Sequence, residues 1–340
     1  MNPRKLLKNI SRTVIILVFM LMTAYFIADQ EKRTLNNAIR SDLPGQFVML
    51  SDGMVHYELA GPDDAPTVVL VHGFSVPYYV WDPTFDALVN VGFRALRYDL
   101  YGRGYSDRPE VEYNLDLFSG QLEQLLSALE IDEPVALVGL SFGGPIVARF
   151  ANQHPDQVRS LVLIDPQIAP VSTAEIFPLN IPLVGEYLMA VYLAPVMLPK
   201  SQAADFYRPE RFPGWEDKYR VQMQYTGFRQ AILSTIRNMA KVDAIAEYEA
   251  LGKLGIPMML FWGQEDQTIP AVDMEMVRRL IPDHEFHSVA EAGHIPHYER
   301  PEAVNPLLID FLRRGEAQIL CKPCDGSYHF NSAHPTAAIP

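Results

Sequence analysis

Two cysteines, Cys321 and Cys324, are all that the 340-residue chain has, and both lie close to its C-terminal end. A disulfide framework for the core is therefore excluded. Their Cys-Lys-Pro-Cys spacing is that of a redox or zinc half-site, and His329 and His334 follow. The strand-and-helix context of a thioredoxin-like motif is missing, so an unstructured tail from Gly315 is the expectation, with no metal and no cofactor. Positive charge is also scarce. Lysine and arginine number 28 against 41 acidic residues, a formal net charge of −13. A nucleic-acid partner requires a basic face to neutralise phosphates, so that class is excluded. Nucleotide phosphates are excluded as well. The Gly- and Asp-rich stretch Tyr98 to Pro109 has neither Gly-x-Gly-x-x-Gly nor a following Gly-Lys-Ser/Thr, and reads as a tight turn bracing neighbouring loops.

Hydrophobic residues make up 49% and charged residues 20%, the balance of a folded protein with room for one large domain and an insertion. A strongly apolar run without a charge extends from Thr13 to Ala28, preceded by Arg4, Lys5, Lys8 and Arg12 and closed by Asp29. A membrane span takes about 17–25 residues, so the run needs Ile10, Ser11 and a snorkelling Arg12 to complete it. The rival reading is a cleaved signal peptide, which needs a small-x-small site. Ala28 is paired with Phe26 and Ala24 with Met22, so an uncleaved single-pass anchor over 13–28 is expected, after a basic segment 1–12. Four basic residues ahead of it, against Lys32, Arg33 and Arg40 after it, favour the domain that follows on the non-cytoplasmic side.

Residues 29–45 are polar and read as a stalk. Two short strand-like runs follow, Gln46 to Leu50 and Val55 to Ala60, with Asp52-Gly53 as a hairpin turn between them. Further strand candidates are Thr67 to Val71, Phe93 to Tyr98, Val135 to Val138, Ser160 to Ile164, Met258 to Trp262 and Glu285 to Val289. Uninterrupted runs such as Val-Val-Leu-Val suit strands buried on both faces, and their alternation with helical stretches predicts an α/β fold: a mostly parallel, twisted sheet flanked by helices. The alternation fails between Pro166 and Gly252, which predicts a helical cap over 166–252. It divides the core into 46–165 and 253–314, with a tail over 315–340.

Three segments carry chemistry. Gly139-Leu140-Ser141-Phe142-Gly143-Gly144 follows a buried strand and precedes a helical stretch, so small residues let the chain turn sharply and hold the Ser141 hydroxyl out from the sheet. A serine is a weak nucleophile at neutral pH and needs an oriented base. Of nine histidines, His294 lies in a loop after the last predicted strand, and His297 is the fallback. His287 lies on a strand and reads as structural. Asp266, just past Phe261-Trp262-Gly263, is the expected acid that fixes the imidazole tautomer, with Glu265 and Asp165 as competitors. After the strand Thr67 to Val71 comes His72-Gly73-Phe74-Ser75, where the backbone N–H of Phe74, together with that of Phe142, is expected to form an oxyanion hole. His72 reads as a packing residue beneath that loop.

Taken with Asp99-x-x-Gly102-x-Gly104-x-Ser106 and Gly263-x-x-Asp266-x-x-x-Pro270, these motifs resemble the α/β-hydrolase superfamily over residues 47–314. A serine nucleophile separates the chain from the similar haloalkane dehalogenases and epoxide hydrolases, which use aspartate there. The lack of a His-Gly-Gly-Pro-Gly loop separates it from prolyl iminopeptidases. The His-Gly-Phe-Ser loop with an N-terminal anchor is similar to membrane-bound monoacylglycerol lipases. The resemblance implies a cofactor-free serine hydrolase acting on an ester or lipid. Ile176 to Pro199, with Glu186 as its only charge, adds an apolar wall suited to an acyl chain or a face for the membrane interface; ordinary cap core is the plain alternative. Two rival functions remain: a carbon–carbon bond hydrolase or perhydrolase on the same triad, and a non-enzymatic ligand-binding protein on a hydrolase fold.

Overall fold

A computed structural model describes residues 3–169 and 171–320. Its centre is one eight-stranded sheet: β1 (Gln46–Leu50), β2 (Gly53–Ala60), β3 (Thr67–Val71), β4 (Arg94–Tyr98), β5 (Val135–Leu140), β6 (Val158–Ile164), β7 (Met258–Gly263) and β8 (Glu285–Val289). The spatial order is β1-β2-β4-β3-β5-β6-β7-β8, with β1 and β2 antiparallel to their neighbours and all other pairs parallel. The hairpin turn is Ser51-Asp52, because Leu50 pairs directly with Gly53; glycine thus opens β2 instead of standing in the turn.

Alternation along the central strands explains why both faces are covered. Val69, Val71, Val135 and Leu137 join one apolar cluster, and Val68, Leu70, Ala136 and Val138 join the other. The helices of the chain are α1 (Pro3–Ala28), α2 (Asn37–Arg40), α3 (Asp82–Asn90), α4 (Leu115–Ala128), α5 (Gly143–Gln153), α6 (Val184–Leu188), α7 (Leu198–Ala204), α8 (Trp215–Arg220), α9 (Phe228–Met239), α10 (Ala244–Leu251), α11 (Ala271–Leu280), α12 (Pro296–Glu299) and α13 (Pro301–Leu320). The first cluster receives α4, α5, α10 and α11; the second receives α3 and α13.

The cap has a small core of its own, in which Met189, Tyr219, Met223, Phe228 and Ile232 meet, and the side chain of Phe74 packs against it. A wide-turned π-helix, Met189–Met197, joins α6 to α7. Helix α10 lies inside the expected cap range, yet it packs on α5, and Ala244, Tyr248 and Leu251 are buried in the main core. The Tyr248 hydroxyl donates to Gln167 O at 3.0 Å. Apolar periodicity predicts a helix here but not the surface it covers, so the helix joins the main core.

Two terminal segments also differ from expectation. The basic segment and the apolar run form one helix, α1, in which Asn9–Ala28 is long and apolar enough to cross a membrane and is not buried by the domain. The expected stalk is fastened rather than free at its start: Asp29 and Glu31 bind Arg229 of α9, and Arg33 pairs with Tyr225. At the other end α13 runs through Gly315 to Leu320, past the expected start of the tail. Cys321, Cys324, His329 and His334 lie outside the described residues.

Candidate active site

Only Ser141 and Phe142 separate the end of β5 from the start of α5. Reversing the chain so sharply forces Ser141 to φ 52°, a left-handed conformation that residues with a β-carbon adopt rarely. Glycine makes the turn possible by close approach: a β-carbon at Gly143 would lie 2.4 Å from Val71 O. The backbone of Ser141 is held on both sides. Its N–H donates to Ile164 O at 2.9 Å, and its carbonyl accepts the Gly144 N–H at 2.9 Å and the Gln167 N–H at 3.1 Å. Its Oγ faces the oxyanion loop, lying 3.7 Å from where a Gly73 β-carbon would stand.

His294 occupies the loop after β8. Its Nδ1 meets Asp266 Oδ2 at 2.8 Å, while Asp266 Oδ1 accepts the N–H groups of Thr268 at 2.6 Å and Ile269 at 3.0 Å. A carboxylate can only accept, so the Nδ1 proton is fixed and Nε2 is left with its lone pair. Burial acts to lower the His294 pKa. The hydrogen bond and charge of Asp266, with the charge of Asp205 added, outweigh burial and hold it above its ordinary 6.5. Among the described residues no hydrogen bond joins Ser141 Oγ to His294. The structure thus brings His294 and Asp266 together and sets Ser141 at the same carboxyl edge of the sheet.

The competing candidates have other work. Glu265 Oε2 accepts the Ala292 N–H at 3.0 Å and so pins the histidine loop. Asp165, wholly buried at the end of β6, accepts the Gly263 N–H at 3.1 Å. Burial first, and then the neighbouring charge of Asp266, push its pKa well above the usual carboxylate range. His297 is buried against the Trp81 ring, its Nε2 bonds Val80 O at 3.2 Å, and burial pushes its pKa down to about 3. His287 pairs with Glu285 at 2.7 Å on β8. His72 is neutral, its pKa pushed to about 4 by burial; Nδ1 donates to Gly73 O at 2.9 Å and Nε2 accepts the Leu100 N–H at 3.0 Å. It is therefore the expected strut under the oxyanion loop.

The backbone N–H groups of Phe74 and Phe142 have no protein acceptor among the described residues. The loop that carries Phe74 is clamped by residues sequence reasoning did not single out. Wholly buried Arg103 donates through Nε to Phe74 O at 2.8 Å and through Nη2 to Thr235 Oγ1 of α9 at 2.9 Å. Gln222, also of the cap, donates to Ser75 O at 2.9 Å and accepts the Gly104 N–H at 2.9 Å. A second contact from the segment expected as a cap reaches His294, whose N–H donates to Asp205 O at 2.7 Å. A backbone carbonyl carries no residue identity, so no sequence signal marks Asp205; the Gly102-Arg103-Gly104 turn was the one available sign of Arg103. No cluster of metal-ligating side chains occurs among the described residues.

A family model described as the alpha/beta hydrolase fold matches residues 66–301. The chain belongs to this family. Lipase 1 of Psychrobacter immobilis is 27% identical over 277 residues, covering 76% of this chain and 81% of the lipase. The 2-hydroxy-6-oxononadienedioate/2-hydroxy-6-oxononatrienedioate hydrolase of Paraburkholderia xenovorans is 25% identical over 299 residues, covering 81% of this chain and 98% of that enzyme. Among solved structures, a thermophilic esterase from Thermogutta terrifontis superposes with a TM-score of 0.69 at 25% identity, over 80% of this chain and 99% of the esterase. The α/β-hydrolase family relationship makes the protein a hydrolase; the bond it cleaves is a finer question, because one fold serves many substrates.

Proposed function

We propose that the protein is a membrane-anchored serine hydrolase that cleaves carboxylic esters with an apolar acyl chain. The observation that carries this reading is the strained Ser141 turn at the sheet edge that also holds the Asp266-backed His294. In the proposed cycle His294 Nε2 takes the Ser141 proton as Oγ attacks the ester carbonyl. The oxyanion rests on the Phe74 and Phe142 amides, each worth about 3 kcal/mol of barrier. His294 then gives the proton to the leaving alcohol, and water, deprotonated by the same imidazole, releases the acid from Ser141. Asp266 stabilises the imidazolium at both stages. In this reading helix α1 serves as the anchor, and the four basic residues ahead of its apolar run, against Lys32, Arg33 and Arg40 after it, favour a catalytic domain on the non-cytoplasmic side.

A second reading keeps the triad and changes the bond, supported by the likeness to the Paraburkholderia hydrolase. The single charge between Ile176 and Pro199 suits an acyl chain better than a dicarboxylate, and this favours the ester. The test compares p-nitrophenyl esters of graded chain length with a vinylogous diketone. Turnover rising with acyl length, together with fluorophosphonate labelling that Ser141→Ala abolishes, is the expected result. Turnover of the diketone alone, or undiminished labelling of Ser141→Ala, would overturn it.

A further inference from the structure

We infer that the cap is a second membrane contact: the exposed apolar face of residues 177–197 sits in the same bilayer leaflet that receives the end of α1. The inference rests on reading α1 as an anchor and adds to it where the active-site cap lies. Leu183 is 84% exposed, Phe177 65%, Tyr192 53% and Met197 50%, with Val184 exposed beside them. Apolar groups so placed in water gain nothing from the fold. Leu183 is held moreover at φ 67°, a conformation that sets a leucine side chain outward at a conformational cost. Glu186, the one charge in the segment, is already paired with Arg237 at 2.7 Å.

What covers this face follows from the anchor. Helix α1 packs along the π-helix 189–197, and Tyr25 in its last turns stacks on Tyr187 of α6, with ring centroids 6.5 Å apart. Immediately beyond the helix, Asp29 binds Arg229 at 2.9 Å, and Glu31 accepts the N–H groups of Gly227 at 3.1 Å and Arg229 at 2.7 Å, at the amino end of α9. Arg33 closes the strap by accepting the Thr226 N–H at 2.8 Å. So short and so fully bonded a connection leaves the domain no freedom to hang away from the membrane. A tyrosine at the end of a span belongs at the headgroup level. The stack on Tyr187 then brings α6 and the adjoining apolar turn to that depth, where their burial in lipid is favourable. An ester whose acyl chain already lies in the leaflet meets the cap without crossing water.

The experiment uses the full chain with Cys321→Ser and Cys324→Ser, reconstituted in phosphatidylcholine vesicles. Single cysteines introduced by Leu183→Cys, Tyr192→Cys, Ile16→Cys and Val91→Cys carry an environment-sensitive fluorophore. Val91, exposed at the amino edge of the sheet, is the apolar control on the side away from the cap. Fluorophosphonate labelling checks that each variant keeps its site. The expected result is quenching by nitroxide-bearing lipids at Ile16, Leu183 and Tyr192, several-fold above that at Val91. Quenching at Ile16 with Leu183 and Tyr192 no different from Val91 would overturn the inference and leave the anchor standing. No quenching at Ile16 would overturn both.

Discussion

Replacing Asp266 by asparagine tests the base and its acid with almost no change of shape. In the native protein Asp266 Oδ1 accepts two backbone N–H groups, from Thr268 and Ile269, while Oδ2 faces His294 Nδ1 at 2.8 Å. An asparagine must keep its carbonyl oxygen where the two N–H donors point, which turns its NH2 toward His294. Nδ1 then has to accept, its proton moves to Nε2, and the nitrogen facing the nucleophile can no longer take a proton. The loss of the correct tautomer costs about 10⁴ in kcat where the same exchange is made in a serine–histidine–aspartate triad, or about 5 kcal/mol of barrier. The assay is steady-state hydrolysis of a water-soluble p-nitrophenyl ester by Asp266→Asn, with folding checked by thermal denaturation. The expected outcome is a drop of that order in kcat with a melting temperature close to native. A loss within tenfold would refute the assignment, and the large loss should then appear in Asp165→Asn instead.

The raised pKa of His294 implies that kcat/KM falls as pH is lowered through a midpoint above 6.5, because the base acts only when unprotonated. In Asp266→Asn, where burial remains and the stronger of the two raising partners is gone, the midpoint of the fluorophosphonate labelling rate should move down; a native midpoint below 6.5 contradicts the account. Burial and the charge of Asp266 raise the pKa of Asp165, which means that it withdraws stability as pH rises from 3.8 through the folded-state value. An asparagine side chain mimics the neutral acid, so Asp165→Asn should melt above the native protein by a margin that grows with pH; a margin that is flat across pH refutes this. Gln222→Ala leaves the buried Ser75 carbonyl and Gly104 N–H without their partners, at about 1–3 kcal/mol each. It should lower the melting temperature and reduce kcat with KM little changed, and an unaltered kcat would show that the cap does not hold the oxyanion loop.

The sharp turn at Ser141, the place of Asp266 just past a strand end and the two-sided burial of the central strands were legible because each is written locally. A glycine-flanked serine between strand and helix, an aspartate just past a strand end and an unbroken apolar run need no knowledge of the rest of the chain. The features missed are those that depend on what meets what. Helix α10 has the apolar content of a cap helix and packs on α5 instead. Residues 29–33 read as a polar stalk because Asp29, Glu31 and Arg33 are charged, whereas the charges meet Arg229 and Tyr225 some 190 residues on. Arg103 looks like any arginine until its burial shows three acceptors around one guanidinium. The Asp205 contact to His294 runs through a carbonyl that every residue has.

The distribution of these bonds divides the cap mechanically. Its later part is fastened to the His294 loop and to the loop that carries Phe74. Asp205 O holds the His294 N–H, and Glu299, which accepts the Gly293 N–H at 2.5 Å, also accepts the Tyr207 N–H at 2.8 Å. Gln222 and Thr235 hold the oxyanion loop directly and through Arg103. Apart from the exposed Tyr207, these donors and acceptors are buried or half-buried, so parting them leaves polar groups unpaired. Residues 171–197 are different. Apart from the helical bonds that continue into α7, their hydrogen bonds outside the segment, among the described residues, run to Arg220 and Arg237 of the cap, and none runs to the sheet or its loops. A change of shape confined to 171–197 therefore breaks nothing that positions Ser141, Asp266 or His294. Any movement of the whole cap would instead release the base and the oxyanion loop together, so the part of the cap that can yield to a substrate is the part that carries Leu183, Tyr192 and Met197.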